Sequence, residues 1–366
     1  MLPAWTNPLF AVVVGAGLLP FAACHDVYVY PLRGGAAGGA GAGGGGAADQ
    51  SGGQGGGGRG GQPVISCPPS ILKGFATVSN GGGASNPTTG GAGGPVMMVR
   101  TLDELQKAGA TTGPLIIHIQ GLLAASGQTD ITSDKTVVGD GTLSGLTGGG
   151  LRVKQGHNVI FRNLVITKAV GTDAIELETS VNVWIDHCDL SSEAGVEGTY
   201  DGLIDIKHAS DFVTVSWTRF HDHHHASLIG HSSDNAGEDT GHLTVTYYGN
   251  LFERLQAECP RARFGQVHLF NNFFRNVGIY AIASQMGARV LVERNVFEDV
   301  VDTMLTQYLD PMDGILHEVE NIKTRSGAPK ITADVAWTPP YAYTDTWLPV
   351  ADVSAVVDAC AGVIKP

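Results

Sequence analysis

HLTVTYYGNLF at residues 242–252, QVHLFNNFF at 266–274 and ARVLVERNVF at 288–297 are three versions of one unit. Each is a short β-branched or aromatic run with alternating character, and each closes on a phenylalanine: Phe252, Phe274 and Phe297. An asparagine stands two places before each (Asn250, Asn272, Asn295). Upstream the unit recurs as DFVTVSWTRF (211–220), NVWIDHCDL (182–190) and NVIFRNLVI (158–166), closing on Phe220, Leu190 and Ile166. From Ile166 onward the closing residues fall 24, 30, 32, 22 and 23 positions apart. No helical pattern separates the units, which argues against a βαβ fold. A repeat of this length suits an all-β, right-handed parallel β-helix, with three short strands and three turns per rung. The bulky closing residues should then stack inside, and the asparagines should form a ladder at one turn. A propeller or sandwich fits less well, because propeller repeats run to about 40 residues or more. The longer spacings mark rungs with loops pushed outward near 191–205 and 221–240, and such loops build a solenoid's binding face. Ahead of the repeat, TLDELQKAG predicts a short capping helix around Leu102–Ala108. Residues 63–150 read as further rungs or as a cap, and we favour rungs plus this helix.

The chain has 366 residues and 52 glycines, concentrated between Gly34 and Gly61. Outside that stretch the composition is that of a globular domain with a substantial core. The glycines lack the period of three that collagen requires. A formal net charge of −13 argues against a nucleic-acid partner, which needs a basic surface. Residues 9–24, LFAVVVGAGLLPFAAC, are apolar but short for a membrane span, and read as the core of a signal peptide over 1–24. The run Phe21-Ala22-Ala23-Cys24 resembles a lipobox, so Cys24 is a candidate for lipidation and membrane attachment. Residues 25–62 read as a flexible linker and 63–366 as the folded domain, secreted or held at the cell surface. Cys67 and Cys360 lie at the two ends of that domain. A bridge between them would tie its termini together; the alternative is two free thiols.

Four stretches concentrate polar chemistry: GTDAIELE (171–178), YDGLIDIKHAS (200–210), FHDHHHASLIGHSSDN (220–235) and ECPRARFG (258–265). Rungs stack about 4.8 Å apart, so equivalent positions become neighbours. Asp173, Asp201 and Asp205 are thereby candidates for one flank, and Asp201 and Asp205 share a strand face. Clustered carboxylates call for a cation, and oxygen donors suit calcium; three solvated surface aspartates are the alternative. Arg261 and Arg263 alternate on one face and could grip carboxylates bidentately, or pair with Glu258 or Asp222. The histidines of HDHHH could share zinc only at alternate positions, and a protonatable sugar-binding loop is favoured.

Taken together, these blocks resemble the pectate lyases of polysaccharide lyase family 1. The resemblance covers roughly residues 73–366. It runs through GFATVS, TTGGAGG, KTVVGDGT (135–142), NVWIDHCDL, DGLIDIKHASDFVTVSW, LIGHSSD, PRARFGQVHLFNNFF and the tail PPYAYTDTW…VVDACAG. It implies a calcium-dependent carbon–oxygen lyase that cleaves α-1,4-linked polygalacturonate, an acidic polysaccharide, by β-elimination, acting as a monomer. It places calcium on Asp173, Asp201 and Asp205, with Gly171 where some members carry a further aspartate. It places substrate binding on His225, where lysine is common, and a structural role on Trp184, Asp186 and His187.

One position departs from the family pattern. The catalytic arginine stands two residues before the motif's proline, and here that residue is Glu258 in Glu258-Cys259-Pro260-Arg261-Ala262-Arg263. Arg261 and Arg263 match the later arginines and are the candidate catalytic residues, with Glu258 at the substrate. A carboxylate there could act as a base but would repel a uronate. Three readings follow: an active polygalacturonate lyase, a polyuronate-binding β-helix without turnover, or a lyase for another acidic or esterified glycan.

Overall fold

The computed structural model describes residues 65–78, 87–196 and 198–364. The expected signal peptide (1–24), the linker (25–62) and Cys24 lie outside the described residues. The rest is a parallel β-helix. One sheet has ten strands in ladder order, from Val96–Val99 through Leu115–Ile119, Lys135–Gly139, His157–Arg162 and onward to Ile315–Val319. All its neighbours pair in parallel, as solenoid winding requires. Residues 96–150 therefore contribute rungs.

The other two faces are fused into a 13-stranded sheet by long strands that turn a corner. Gly145–Lys154 pairs with Val165–Thr167 through its first half and with Ile175–Glu178 through its second. Phe273–Gln285 does the same with Leu251–Ala257 and Arg261–Arg263.

The closing residues form the expected internal ladder, with Ile166, Leu190, Phe220, Phe252, Phe274 and Phe297 in register. The four phenylalanine rings stack at 4.5, 4.9 and 4.6 Å between centroids, and all are fully buried. The asparagine ladder is present too. Asn250 Nδ2 donates to Asn272 Oδ1 (2.9 Å), Asn272 Nδ2 to Asn295 Oδ1 (2.9 Å), and Asn295 Nδ2 to Asn321 Oδ1 (3.1 Å). Each asparagine follows a corner residue in the left-handed region: Gly249, Asn271, Arg294 and Glu320. Gly249 is needed for space as well, since a Cβ there would stand 2.8 Å from the Trp217 ring.

The N-terminal end is closed by the helix Leu102–Gly109, whose Thr101–Glu104 capping box starts it where expected. Leu105 and Ala108 are its buried face. A second helix, Val353–Cys360, was not legible in the sequence. Its Val353, Val357 and Cys360 cover Trp217, Tyr248, Phe270 and Phe273 on the outside of the solenoid. Cys67 and Cys360 are disulfide-bonded, joining the two ends of the domain, while Cys188 and Cys259 are buried free thiols. The NVWIDHCDL block is structural: Asp186 is fully buried and accepts from Ser70 Oγ (2.5 Å), Arg162 Nε (3.0 Å) and Ser216 Oγ (2.6 Å).

Candidate functional site

Strand registry on one outer face builds the site. The strands Ile175–Glu178, Ile204–Lys207, Ser227–Ile229 and Arg261–Arg263 stack in that order. Glu176, Asp205, Leu228 and Arg261 occupy one column. Asp205 and Arg261 are thus two rungs apart on the same line, a carboxylate and a guanidinium facing the same way.

Asp173 and Asp205 converge at the acidic end, and both are buried. Asp173 Oδ1 accepts from Gly202 N at 2.8 Å. Gly202 keeps the space open, because a Cβ there would collide with Asp205 Oδ1 and stand 3.0 Å from Asp173 Oδ1. Burial, then the negative charge of Asp201, pushes the Asp173 carboxyl up to about 6 against the opposing pull of Lys207. Burial and the neighbouring Asp173 raise Asp205 further. Asp201 sits exposed at the rim, held by its backbone: its carbonyl accepts from His223 Nε2 (2.6 Å), whose Nδ1 meets Ser192 Oγ (2.5 Å).

Lys207 was missed in the sequence, although it follows Asp205 by two and so shares its strand face. Its Nζ lies 3.3 Å from Asp173 Oδ2, 3.1 Å from Glu176 Oε1 and 3.8 Å from Asp205 Oδ2. Among the described residues no three His, Cys, Asp or Glu side chains converge as a complete metal cage. The donor set still fits calcium shared with a ligand. It offers two converging hard carboxylates, a third at the rim, and a glycine-cleared space whose negative charge Lys207 only partly offsets.

At the basic end, every guanidinium nitrogen has a partner. Arg261 Nε donates to Gln285 Oε1 (2.7 Å), Nη1 to Glu258 Oε1 (3.3 Å), and Nη2 lies 3.1 Å from Asp310 Oδ2. Arg263 donates through Nε to Asp310 Oδ2 (2.7 Å), through Nη2 to Oδ1 (3.2 Å), and through Nη1 to Gly230 O (2.8 Å). The expected partner Glu258 is realised for Arg261, whereas Asp222 pairs with Arg254 instead. Asp310 carries no local sequence signal, because 47 residues separate it from Arg263. Burial works against the charged form of Arg261, but Tyr280, Glu258 and Asp310 outweigh it and raise its pKa. Arg261 is therefore a fixed cation.

Glu258 is buried at a left-handed corner (φ 60°), and its carbonyl accepts from Ser227 N at 2.7 Å. His225 is half-buried in register with Ala257, the residue before Glu258, and its ring lies 4.2 Å from that of His224. His221 and His223 are occupied elsewhere, the first with Asp189 and Asp222 and the second with Ser192 and the Asp201 carbonyl.

The fold and the site together define a parallel β-helix protein with an acidic pocket in line with paired arginines. The chain belongs to the pectate lyase family, whose model matches residues 62–365. Pectate lyase plyB of Emericella nidulans is 41% identical over 212 residues, covering 57% of this chain and 65% of that protein. Pectate lyase B of Colletotrichum gloeosporioides is 43% identical over 188 residues, 50% of this chain and 56% of that one. The chain thus spans less than two thirds of the length of these relatives. A pectate lyase of Bacillus sp. N165, solved in complex with trigalacturonate, superposes with a TM-score of 0.71 at 29% identity, covering 80% of this chain and 99% of that one.

Proposed function

We propose that the protein is an exported, calcium-dependent lyase that cleaves polygalacturonate by β-elimination. The observation that carries this reading is the column that sets Asp205 and Arg261 two rungs apart on one face. That arrangement suits an anionic sugar held between a cation-binding pocket and fixed positive charge. Asp173, Asp205 and Asp201 are the residues that would hold calcium. A calcium ion held there would supply positive charge to the uronate carboxylate and make the proton on the adjacent carbon more acidic.

The chain's own residues supply the remaining chemistry. Arg261 and Arg263 offer fixed positive charge toward the enolate that develops. Arg261, kept protonated by its carboxylate partners, acts there as a charge and not as a base. Glu258, beside it at 3.3 Å, can accept the proton. The C–H electrons form the new carbon–carbon double bond, the glycosidic C–O bond breaks, and the departing oxygen takes a proton from water, to which Glu258 later returns the one it accepted. His225, one rung over from Ala257, binds substrate. The expected test is ultraviolet absorbance of unsaturated uronide from polygalacturonate. It should rise with calcium and stop with chelator, and a flat trace under broad conditions overturns the reading.

The presence of Glu258 and the pairing of both arginines favour a second reading, a polyuronate-binding protein without turnover. That protein would be retained on a pectate gel in calcium and release no product. The apolar segment 9–24 supports export and Cys24 supports lipidation. Both are tested by the mass of the mature N-terminus.

A further inference from the structure

Residues 307–313 form a surface loop with an inverted pattern of burial. Tyr308, Leu309 and Met312 are exposed, yet the Asp310 side chain is 7% exposed. Asp310 receives both arginines at once: Arg263 through Nε and Nη2, and Arg261 through Nη2. At its far end the loop is pinned by backbone, with Met312 O and Asp313 O accepting from Met286 N and Gly287 N. Tyr308 leans over the same spot, 4.9 Å from the Tyr280 ring and 5.7 Å from the Arg261 guanidinium. Leu309 and Met312 lie in water and do little to hold the loop, so Asp310 and the Tyr308 ring supply its side-chain attachment at the arginines.

We propose that Asp310 is a built-in stand-in for a substrate carboxylate. It fills the place between Arg261 and Arg263 that a uronate would take, and loop 307–313 must release it for the glycan to enter. The proposal rests on the polyuronate reading and adds a specificity-determining residue to it. Exchanging one carboxylate for another leaves both guanidiniums paired throughout. A neutral or methyl-esterified sugar would displace Asp310, leaving buried Arg263 without a counter-charge and Arg261 with Glu258 alone, which is strongly unfavourable. Asp310 therefore admits anionic sugars and turns neutral ones away.

The test is calorimetric titration of the full chain with trigalacturonate and with its methyl ester, in calcium. Wild type is compared with Asp310→Ala and with the near-isosteric Asp310→Asn. Removing the internal competitor should tighten trigalacturonate binding by about tenfold, and should ease binding of the ester too, since neither ligand then has to displace Asp310. Unchanged or weaker binding in a folded variant overturns the proposal. A second measurement uses wild type alone: saturating trigalacturonate should speed chymotrypsin cleavage after Tyr308 or Leu309, and unchanged or slower cleavage overturns the proposal too. Product formation by wild type keeps the two readings apart. A lyase whose Asp310 variants bind no tighter loses the stand-in only. Tighter variants of a protein that makes no unsaturated product keep the stand-in and lose the lyase.

Discussion

Lys207 Nζ lies 3.3 Å from Asp173 Oδ2, although 34 residues separate them in sequence. The contact exists because Lys207 and Asp205 point the same way from one strand and the preceding rung delivers Asp173 beneath them. Lys207 also reaches Glu176, so one ammonium serves several carboxylates on this face. Replacing it by methionine should leave buried like charges facing each other. Lys207→Met should lower stability at neutral pH by about 3 kcal/mol, the scale for breaking a buried ion pair from one side. Added calcium should recover part of that loss. Thermal unfolding with calcium and with chelator checks both statements.

Gly202 offers a separate check on the proposed calcium pocket. A methyl group there would collide with Asp205 Oδ1 and crowd Asp173 Oδ1. Gly202→Ala should weaken calcium binding at least tenfold. The chain should remain folded, because the clash sits at the surface end of the rung and not in the phenylalanine stack. Calorimetric titration with calcium alone reads the effect without reference to turnover. Wild-type affinity in this variant would show that the two carboxylates do not hold the ion.

The asparagine ladder predicts stability. Asn272 is fully buried; its Nδ2 donates to Tyr247 O and Asn295 Oδ1, and its Oδ1 accepts from Asn250. Asn272→Ala removes both functions and takes their partner from the buried Asn250 backbone N–H and the Tyr247 carbonyl. Leaving buried polar groups unsatisfied costs about 1–3 kcal/mol each, so a loss of about 3 kcal/mol is expected in denaturant unfolding.

The repeat was legible because each rung must bury the same kind of residue in the same place. Phe220, Phe252, Phe274 and Phe297 announce that periodicity, and the asparagines before them mark the turn. The capping helix was legible through Thr101 and Glu104, which satisfy each other's backbone locally. The acidic end of the site was legible in part, since Asp201 and Asp205 are near neighbours in sequence. Lys207 could have been read from the same alternation that selected Asp205. Asp310 and Gln285 could not, because their contacts depend on how far a loop or rung carries them. The helix Val353–Cys360 escaped notice for a related reason: its apolar face is set by Trp217 and Phe270, residues distant in sequence.

The His221–Asp222–Arg254 network predicts a pH dependence with two limits. Arg254 donates to both Asp222 oxygens at 2.6 and 2.8 Å, and this, ahead of the opposing effect of burial, holds the Asp222 carboxyl well below its usual value of 3.8. Its contribution is present above that value and lost as pH falls beneath it. Burial alone would lower His221, but Asp189 and Asp222 outweigh it and raise the imidazole above 6.5. That contribution is complete below 6.5 and lost as pH rises through the folded value. The stability difference between wild type and Asp222→Asn should therefore peak between the two limits and shrink on both sides. Chemical unfolding across the pH range checks it, and a flat difference would remove the network from the stability of this face.

Glu258 decides what kind of protein this is. Its carboxylate lies 3.3 Å from Arg261 Nη1, and it is buried at the corner that feeds the arginine strand. As the proposed proton acceptor it should act on the chemical step far more than on binding. Glu258→Gln keeps the shape and removes both the charge and the acceptor. Its kcat on polygalacturonate should fall by about 10²–10⁴-fold, the usual scale for losing a general base. KM should stay level or decrease, because one negative charge has left the path of a polyanion. The pairing with Arg261 makes the opposite result equally informative. If kcat holds and only KM falls, Glu258 is merely a counter-ion for Arg261, and the proton leaves through another group on this face.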